Sequence, residues 1–584
     1  AINPDRTMSD ICGAYAGLGV DEARATMTDA LEAQGALRLR EPYRHSVPHS
    51  QRSGIRIEPL ISLQWFADMR SLAEPVSEWV RDGTVRFVPD GMKSIFHGWM
   101  DDLKPWCLSR QLWWGHQLPV WYHVDAETRV HVSTDGPPAD EADQWRRDED
   151  VLDTWFSSGM WDHATLGWPD DTPELRYFHP TAVLCTGRDI INLWVARMMM
   201  FSSDHLGEVP FHDVYLHSTV QAADGRRMSK SLGTGVDPLD LIASYGADAV
   251  RYGLLDMSST QDVRFNEGRI KEGNQLANKL WNALRLLQVF GGADIDPETV
   301  DAFDPATSAV RLEDRWILAR LDRVQREVTR ALDAYEFHNV TKALYNFCWN
   351  ELCDWYLESI KDRLRSEAPV IKREAVTQLA WVLHETISLI HPVMPHLSEE
   401  LSAQLWGEPG PEHCLVAASD WSSHTFEAGV SGAIADAEEQ FTRTQTLVTR
   451  LRNVRQAADI KPRTTVHARL ELDDPSAGTW SDLESLLLVL ANVEVGGGEP
   501  GVSGIALPIE GGSLVLYGLD AQVLKPKLEA ELTTARGEVK RAEGKLANDK
   551  FTARAPAELV QEERDKIDRF TREGVQLETV IAQL

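Results

Sequence analysis

A chain of 584 residues is long enough for three or four domains, each with its own core, and a composition of 43% hydrophobic and 26% charged residues excludes wholesale disorder. A formal net charge of −31 excludes a simple nucleic-acid coat, because phosphate binding draws on Lys and Arg, but it leaves room for local basic surfaces. Six scattered cysteines without paired ligand spacing read as reduced thiols, and no apolar run approaches the ~20 residues of a spanning helix, so a cytoplasmic chain with no membrane segment is expected.

The chain opens on Ala1, and no complete motif stands in its first stretch, so a partial chain is expected. Residues 21–34 predict a helix, with an acidic start, apolar residues at helical spacing and Gly35 at the far end. His45 and His49 are four apart, the spacing of a metal pair on a helix, but Pro48 breaks that helix and favours a structural role. The segment "HSVPHSQRSGIRIEPLISLQWF" reads as turns and a strand.

From about residue 180 to 260 the pattern is α/β. "TAVLCTG" predicts a short buried strand, and "DIINLWVARMMMFSSDHLG" predicts a helix with Asp189 near its start and Gly207 at its end. "FHDVYLHSTV" predicts the next strand, "AADGRRMSKSLGTGVD" a loop, and "PLDLIASYGADAVRYGLL" a return to helix. Strand, helix, strand, loop, helix is the signature of a doubly wound sheet, where ligands collect beyond the carboxyl ends of strands. Gly187, Arg188 and Asp189 follow one such end and the loop follows another, so both are expected to face one site. The loop is neither a P-loop nor a dinucleotide fingerprint. It holds Arg226, Arg227 and Lys230, with Ser229 and Ser231, between Gly225 and Gly233. That is a mobile cationic segment suited to closing on polyphosphate, set against the plainer reading of a solvated basic turn.

Downstream, residues 262–424 predict helices whose aromatics, at helical spacing, favour a core over base stacking. In residues 425–517 a helix with Arg450, Arg452, Arg455, Lys461 and Arg463 precedes short strands, and its basic run reads equally as a phosphate track or a solvated face. The tail carries two heptad series, Leu528, Leu532, Ala535, Val539, Ala542 and Leu546, then Ile567, Phe570, Gly574, Leu577, Ile581 and Leu584. Between them lies "NDKFTARAP", which predicts an antiparallel helical hairpin with a basic edge of Lys540, Arg541, Lys545, Lys550 and Arg554.

"RMSKS" at 227–231 resembles the second signature of the class I aminoacyl-tRNA synthetases, with Arg227 in place of the leading lysine. "LKPWCLSRQLWWGHQLPVWY", "DEDVLDTWFSSGMW", "TGRDIINLWVARMMMF" and "MSKSLGTGVDPLDLIASYGADAVRYGLL" resemble, in order, the catalytic core of the valyl-tRNA synthetase family. "ANKLWNALRLL" and "YNFCWNELCDWYLESIK" resemble its helical anticodon-binding domain, and the last sixty or so residues its coiled coil. The resemblance implies a doubly wound, Rossmann-like catalytic half-domain, an α-helical anticodon-binding bundle, a small α/β junction and a C-terminal antiparallel coiled coil. The implied boundaries are 1–46 for the closing end of an editing domain, 47–261 for the second half of the catalytic domain, 262–424 for the bundle, 425–517 for the junction and 518–584 for a tRNA-binding arm.

The resemblance also implies roles. Lys230 is the catalytic cation. Gly187, Asp189, His217, Val220, Arg227, Met228, Ser229, Lys230 and Ser231 contact ATP, and Trp155 and Ile190 wall the amino-acid pocket. Magnesium accompanies ATP through phosphate oxygens, with no dedicated metal ligands. The partners implied are valine, ATP and tRNA(Val), with the protein a monomer. No His-Ile-Gly-His first signature occurs in the 584 residues, so neither editing nor unaided valine activation is expected. A non-catalytic tRNA-binding or regulatory relative and an isoleucine-type synthetase stand as alternatives.

Overall fold

The computed structural model describes residues 1–584 except 51–52, 61, 229–232, 259, 293–294, 296, 310, 407–415, 420, 422–430, 462, 474–480, 497–503, 510, 520, 549–556 and 583–584. The chain divides into two units, Ala1–Leu216 and His217–Leu584.

In the first unit the predicted opening helix spans Val20–Ala33. Asp21 and Glu22 sit in its first turn, where carboxylates suit the helix dipole. Gly35 follows its end at φ +70, in the left-handed region that lets the chain leave a helix cheaply. Glu58, reached by Arg24 at 3.3 Å and by Arg56 at 2.9 Å, ties this helix to the irregular segment after it. The strand expected in that segment is reduced to Phe66–Ala67. Beyond it lies a three-stranded sheet with Phe211–His217 at its centre. That strand pairs in parallel with Arg86–Val88 on one side and lies beside Thr181–Gly187 on the other. The helices Arg70–Arg81 and Lys93–Asp101 and the long helical segment after residue 187 pack around a core that includes Val76, Val80, Phe87, Phe96, Val195 and Val214.

Two expectations for this region are corrected. The 181–187 strand is not buried throughout: Leu184 and Thr186 are, whereas Val183 and Cys185 are exposed, because this is an edge strand with one open face. The helix after it is not uniform. It runs as a 3-10 turn Arg188–Ile190, a π turn Ile191–Val195 and an α-helix Ala196–His205. Its end is as predicted, with Gly207 at φ +73 and its N–H donating to the Ser202 carbonyl at 3.0 Å.

In the second unit the strand expected to run on to Val220 is broken. Val220–Gln221 forms a separate short strand, parallel to Val263–Arg264 and in a different sheet from Phe211–His217. The predicted single helix after the loop is two, Pro238–Tyr245 and Ala247–Asp256, parted at Gly246, whose φ of +88 no helix accommodates. The bundle follows, with Glu267–Val289, Leu312–Asp333, Phe337–Tyr345 and Pro369–Ile390 around a core that includes Leu280, Ile317, Val328, Phe347 and Leu379. Phe347 and Tyr356 are core, and Trp349 stacks on Tyr345 with the Lys279 ammonium 3.9 Å from its ring centre.

After the bundle the helix Ser431–Ala457 leads into a four-stranded sheet ordered Val493–Val495, Val466–Leu472, Gly512–Leu516, Ile505–Ile509. The basic run here is mixed: Arg455 is buried and Arg450 half-buried, whereas Arg452 is exposed. Arg452 donates to the Leu490 carbonyl at 2.9 and 3.0 Å, and Arg455 donates to the carbonyls of Asn492, Lys461 and Thr464. Burial pushes the guanidiniums of Arg450, Arg452 and Arg455 down. Long side chains with apolar stems fold inward readily when carbonyls at a helix-to-sheet joint need donors. Lys461 and Arg463 stay exposed.

The tail is the predicted pair of helices, Ala521–Leu546 and Ala557–Ile581. Leu528, Leu532, Ala535 and Ala542 are buried on the first, and Leu577 and Val580 on the second. Val539 and Leu546 of the first series, and Ile567, Phe570 and Ile581 of the second, are only half-buried, and Leu584 lies outside the described residues. In the basic edge, Lys545 bonds Glu563 at 2.8 Å and Arg541 bonds Glu538 at 2.6 Å, while Lys540 is exposed and Lys550 and Arg554 lie outside the described residues.

Candidate active site

The first cluster sits at the carboxyl end of the 181–187 strand. Gly187 closes that strand in extended backbone, and Arg188–Ile190 turn at once into the helix. Asp189 is exposed, and its carboxylate makes no hydrogen bond or ion pair among the described residues. Ile190 is half-buried, four residues ahead of Trp194. The Trp194 Nε1–H donates to the Ser158 carbonyl at 2.9 Å, and its ring meets Trp161 edge-on. Ser158 belongs to the helix Thr154–Gly159, which carries Trp155.

That helix is fixed by its first residue. Asp153 is 5% exposed and caps the helix by accepting the Trp155 N–H at 3.2 Å. Its other oxygen accepts from Trp106 Nε1 at 2.8 Å and from Arg110 at 2.7 Å. Gly159 closes the helix so near Phe201 that a Cβ would stand 2.5 Å from its ring. Trp155 is thus held from both ends. Trp194, which couples the helix bearing Trp155 to the segment bearing Ile190, is the residue that motif reading missed; its signal is the four-residue step from Ile190. Trp155 also lines a cavity of about 620 Å³ that does not include Ile190.

The second cluster belongs to the second unit. His217 is exposed, with Nδ1 3.1 Å from the Ser218 carbonyl, and Val220 lies in its two-residue strand. The loop turns tightly at Gly225, φ +82, where the Ala222 N–H donates to the Arg226 carbonyl at 2.9 Å. Arg226 is turned back on Asp224 at 2.7 Å, and its guanidinium holds that carboxyl below its usual range. Arg227 keeps an exposed side chain while its backbone bridges to Gln221, and Met228 is half-buried. Ser229, Lys230 and Ser231 lie outside the described residues. Gly233 resumes at φ +62, so both glycines flanking the cationic run are left-handed.

Family comparison runs along the same line as the motifs. Residues 21–266 match the family described as tRNA synthetases class I (I, L, M and V), residues 314–470 the anticodon-binding domain of tRNA ligase, and residues 520–584 the valyl tRNA synthetase tRNA binding arm. The chain therefore belongs to the class I tRNA synthetases. Its homologues over its whole length are valine–tRNA ligases: it is 37% identical over 609 residues to that of Oceanobacillus iheyensis, covering 100% of this chain and 66% of the relative. That of Bacillus subtilis is 37% identical over 588 residues, covering 97% of this chain and 64% of the relative. The chain spans just under two thirds of the length of the curated relatives it matches. Among solved structures, a Mycobacterium tuberculosis methionyl-tRNA synthetase in complex with methionyl-adenylate gives a TM-score of 0.46 at 20% identity over 61% of this chain and 65% of that one, a likeness too slight to bear on function.

Proposed function

We propose that this chain supplies the second half of the catalytic centre, the anticodon-binding bundle and the RNA-binding arm of a valine–tRNA ligase. The reaction is a two-step acyl transfer. A valine carboxylate oxygen attacks the α-phosphorus of ATP, pyrophosphate leaves, and a terminal ribose hydroxyl of tRNA(Val) then takes the valyl group from the adenylate and releases AMP. The observation that carries this reading is the ordered run of three family matches, with 37% identity to valine–tRNA ligases along the whole chain.

In this reading Asp189 accepts ribose hydroxyls, and Gly187 permits close approach of the adenosine. His217 and Val220 line the adenine side. Arg227, Met228, Ser229, Lys230 and Ser231 form the loop that closes on the phosphates, with Lys230 meeting the charge that grows on the departing pyrophosphate. Trp155 and Ile190 wall a pocket for a small β-branched side chain. The divisions at 46, 261, 424 and 517, the cytoplasmic location and the monomeric state are part of the same proposal. Among the described residues no cluster of three or more His, Cys, Asp or Glu is placed to hold a metal ion, so no step is assigned to magnesium beyond its travelling with ATP. Among the described residues no helix is long and apolar enough to cross a membrane.

Valine-dependent exchange of labelled pyrophosphate into ATP tests the reading. The chain of residues 1–584 alone is expected to show no exchange, because no first signature occurs in it. The same chain joined to a segment that carries that signature is expected to exchange with valine in preference to isoleucine. Exchange with isoleucine in preference would assign the chain to the isoleucine type, and failure of the joined chain to bind tRNA(Val) or to exchange would overturn the proposal.

A further inference from the structure

Two long helices of the bundle, Leu312–Asp333 and Pro369–Ile390, begin at one cavity of about 730 Å³. Each runs for 22 residues and neither is closed by a side-chain cap, so the free N–H groups and positive dipole ends of both stand at the same space. Arg311, at the start of the first helix, and Arg373, near the start of the second, add two guanidiniums to the wall. Neither guanidinium has an ion pair or a hydrogen bond among the described residues.

The carboxylates nearby are mostly committed elsewhere. Asp314, 3% exposed, accepts from Arg363 at 2.8 Å and from Tyr356 at 3.2 Å, and Glu313 lies 3.0 Å from the same Arg363 guanidinium. Glu313 also feels the charge of Arg311, but burial, and with it Asp314, pushes its carboxyl up, which weakens its claim on that cation. Glu374, exposed on the wall, is left as the carboxylate that opposes an anion.

Thr377 and Gln378, one helical turn in from Arg373 and Glu374, line the cavity and are 8% and 3% exposed. Neither the Thr377 hydroxyl nor the Gln378 amide makes a hydrogen bond among the described residues. The hydroxyl is not sealed in protein, since it is not among the fully buried atoms without a partner, whereas Gln378 Nε2 is one of them. Polar groups buried this far are costly unless something answers them. Arginines beside uncapped helix starts suit a phosphate group, and the volume is several times what a bare phosphate fills, so the group arrives on a body. The hydroxyl and amide on the inner wall call for a body that carries hydroxyls. A polynucleotide backbone crossing the surface would not reach two side chains more than nine-tenths buried.

We propose that this cavity binds a small phosphomonoester with a hydroxylated body, of the sugar phosphate kind, its phosphate held by Arg311, Arg373 and the two helix starts and its hydroxyls by Thr377 and Gln378. The site lies in the second unit and shares no residue with the activation site proposed above. A chain inactive in pyrophosphate exchange leaves the test below unaffected.

Glucose 6-phosphate is the probe, titrated calorimetrically into the chain of residues 1–584 at neutral pH and low salt. The expected result is saturable binding, with glucose at least about tenfold weaker and inorganic phosphate at least about threefold weaker. Arg373→Ala, at an exposed position, is expected to weaken the sugar phosphate by at least about fivefold. Thr377→Val, which keeps the shape and removes the hydroxyl, is expected to weaken it by at least about threefold and to leave inorganic phosphate unchanged. Circular dichroism and melting show whether the variants fold. Five results would overturn the proposal: no saturable binding of the sugar phosphate, glucose binding as tightly, inorganic phosphate binding as tightly, undiminished binding by a folded Arg373→Ala, or a short single-stranded RNA displacing the sugar phosphate at equal phosphate concentration, which would make the cavity an RNA contact. If Thr377→Val does not fold, Arg373→Ala and the comparison with glucose on the unaltered chain still decide.

Discussion

Adjacent arginines in the loop have different fates. Arg226 is neutralised locally by Asp224, and Arg227 presents an exposed side chain from a backbone bridged to Gln221. The charge available for a transient partner therefore falls to Arg227 and, in the proposed mechanism, to Lys230. A cation used chiefly while pyrophosphate departs affects turnover more than ground-state affinity. In a chain that also carries the first signature, Lys230→Ala is expected to lower the activation rate by at least about a hundredfold with little change in valine affinity, as rapid-quench measurement of adenylate formation reads it. Loss of valine affinity with turnover intact would refute the role. The proposed roles of Trp155, Ile190 and the loop rest on the motif string. What it could not reveal is the support. Asp153 caps the helix that carries Trp155, and its bonds to Trp106 and Arg110 join residues more than forty positions apart, a pairing that no local pattern encodes.

At the scale of elements, one buried polar group of the first unit is made by two helices and a turn. Asp162 and His163 meet at 3.1 Å, His163 meets His205 at 2.9 Å, and His179 stands 3.6 Å from Asp162 and 3.5 Å from Ser202 Oγ. The His205 ring stacks on Trp168. Burial holds His179 and His205 below the usual imidazole value against the opposing pull of Asp162, with Glu208 also acting on His179 and Asp204 on His205. The unfolded chain takes up protons on these rings at about pH 6.5 and the folded one only at lower pH, so stability is present in full above about 6.5 and declines as the pH falls below it. Calorimetric melting is expected to show a lower Tm at pH 5.5 than at pH 7.5, with a shallower drop in a folded His179→Gln/His205→Gln variant; an equal drop in both would exclude these rings as the cause. None of this group was legible in the sequence, where its four members are dispersed over more than forty residues. The sequence did disclose elements whose signals are local, such as the helix closed by Gly35 and the helix ended by Gly207. It misjudged those decided by neighbours: the 181–187 strand, open on one face, and the π turn Ile191–Val195, which carries its helical periodicity off by a residue.

On the scale of the whole chain, the arm is the part most plainly written in the sequence, because heptad spacing is a signal repeated over many turns. The structure adds where the hairpin is rooted. Leu524, Leu528, Leu532, Leu577 and Val580 belong to the same core as the bundle, and Lys527 pairs with Asp459. Its base is thus part of the second unit's stability, and a test of RNA binding must spare it. Removing residues 536–573 and closing the helices with a short Gly-Ser turn is expected to leave adenylate formation nearly unchanged in a chain able to perform it. Transfer to tRNA is expected to weaken, with a smaller dependence on salt, because fewer phosphate contacts release counterions. Both rates, and the slope of affinity against salt, are to be compared with the full arm. A folded deletion with unaltered RNA affinity and slope would make the hairpin purely a packing element.

The carbonyl-bonded arginines of the Ser431–Ala457 helix have a consequence for how the protein withstands proteases. Trypsin needs its target residue free to enter an extended conformation in the enzyme's cleft, and Arg452 and Arg455 are held in a helix with their guanidiniums fastened to carbonyls at the joint with the sheet. Arg463 lies outside any helix or strand with its side chain exposed, and Lys461 is followed by a proline that blocks cleavage. Brief digestion of the native chain is therefore expected to nick after Arg463 and to spare Arg450, Arg452 and Arg455, as mass spectrometry of the fragments would read. In a denatured chain all four arginines are cut alike, so the contrast between the two digests marks the point where a run of charge in the sequence became the inner fastening of a joint.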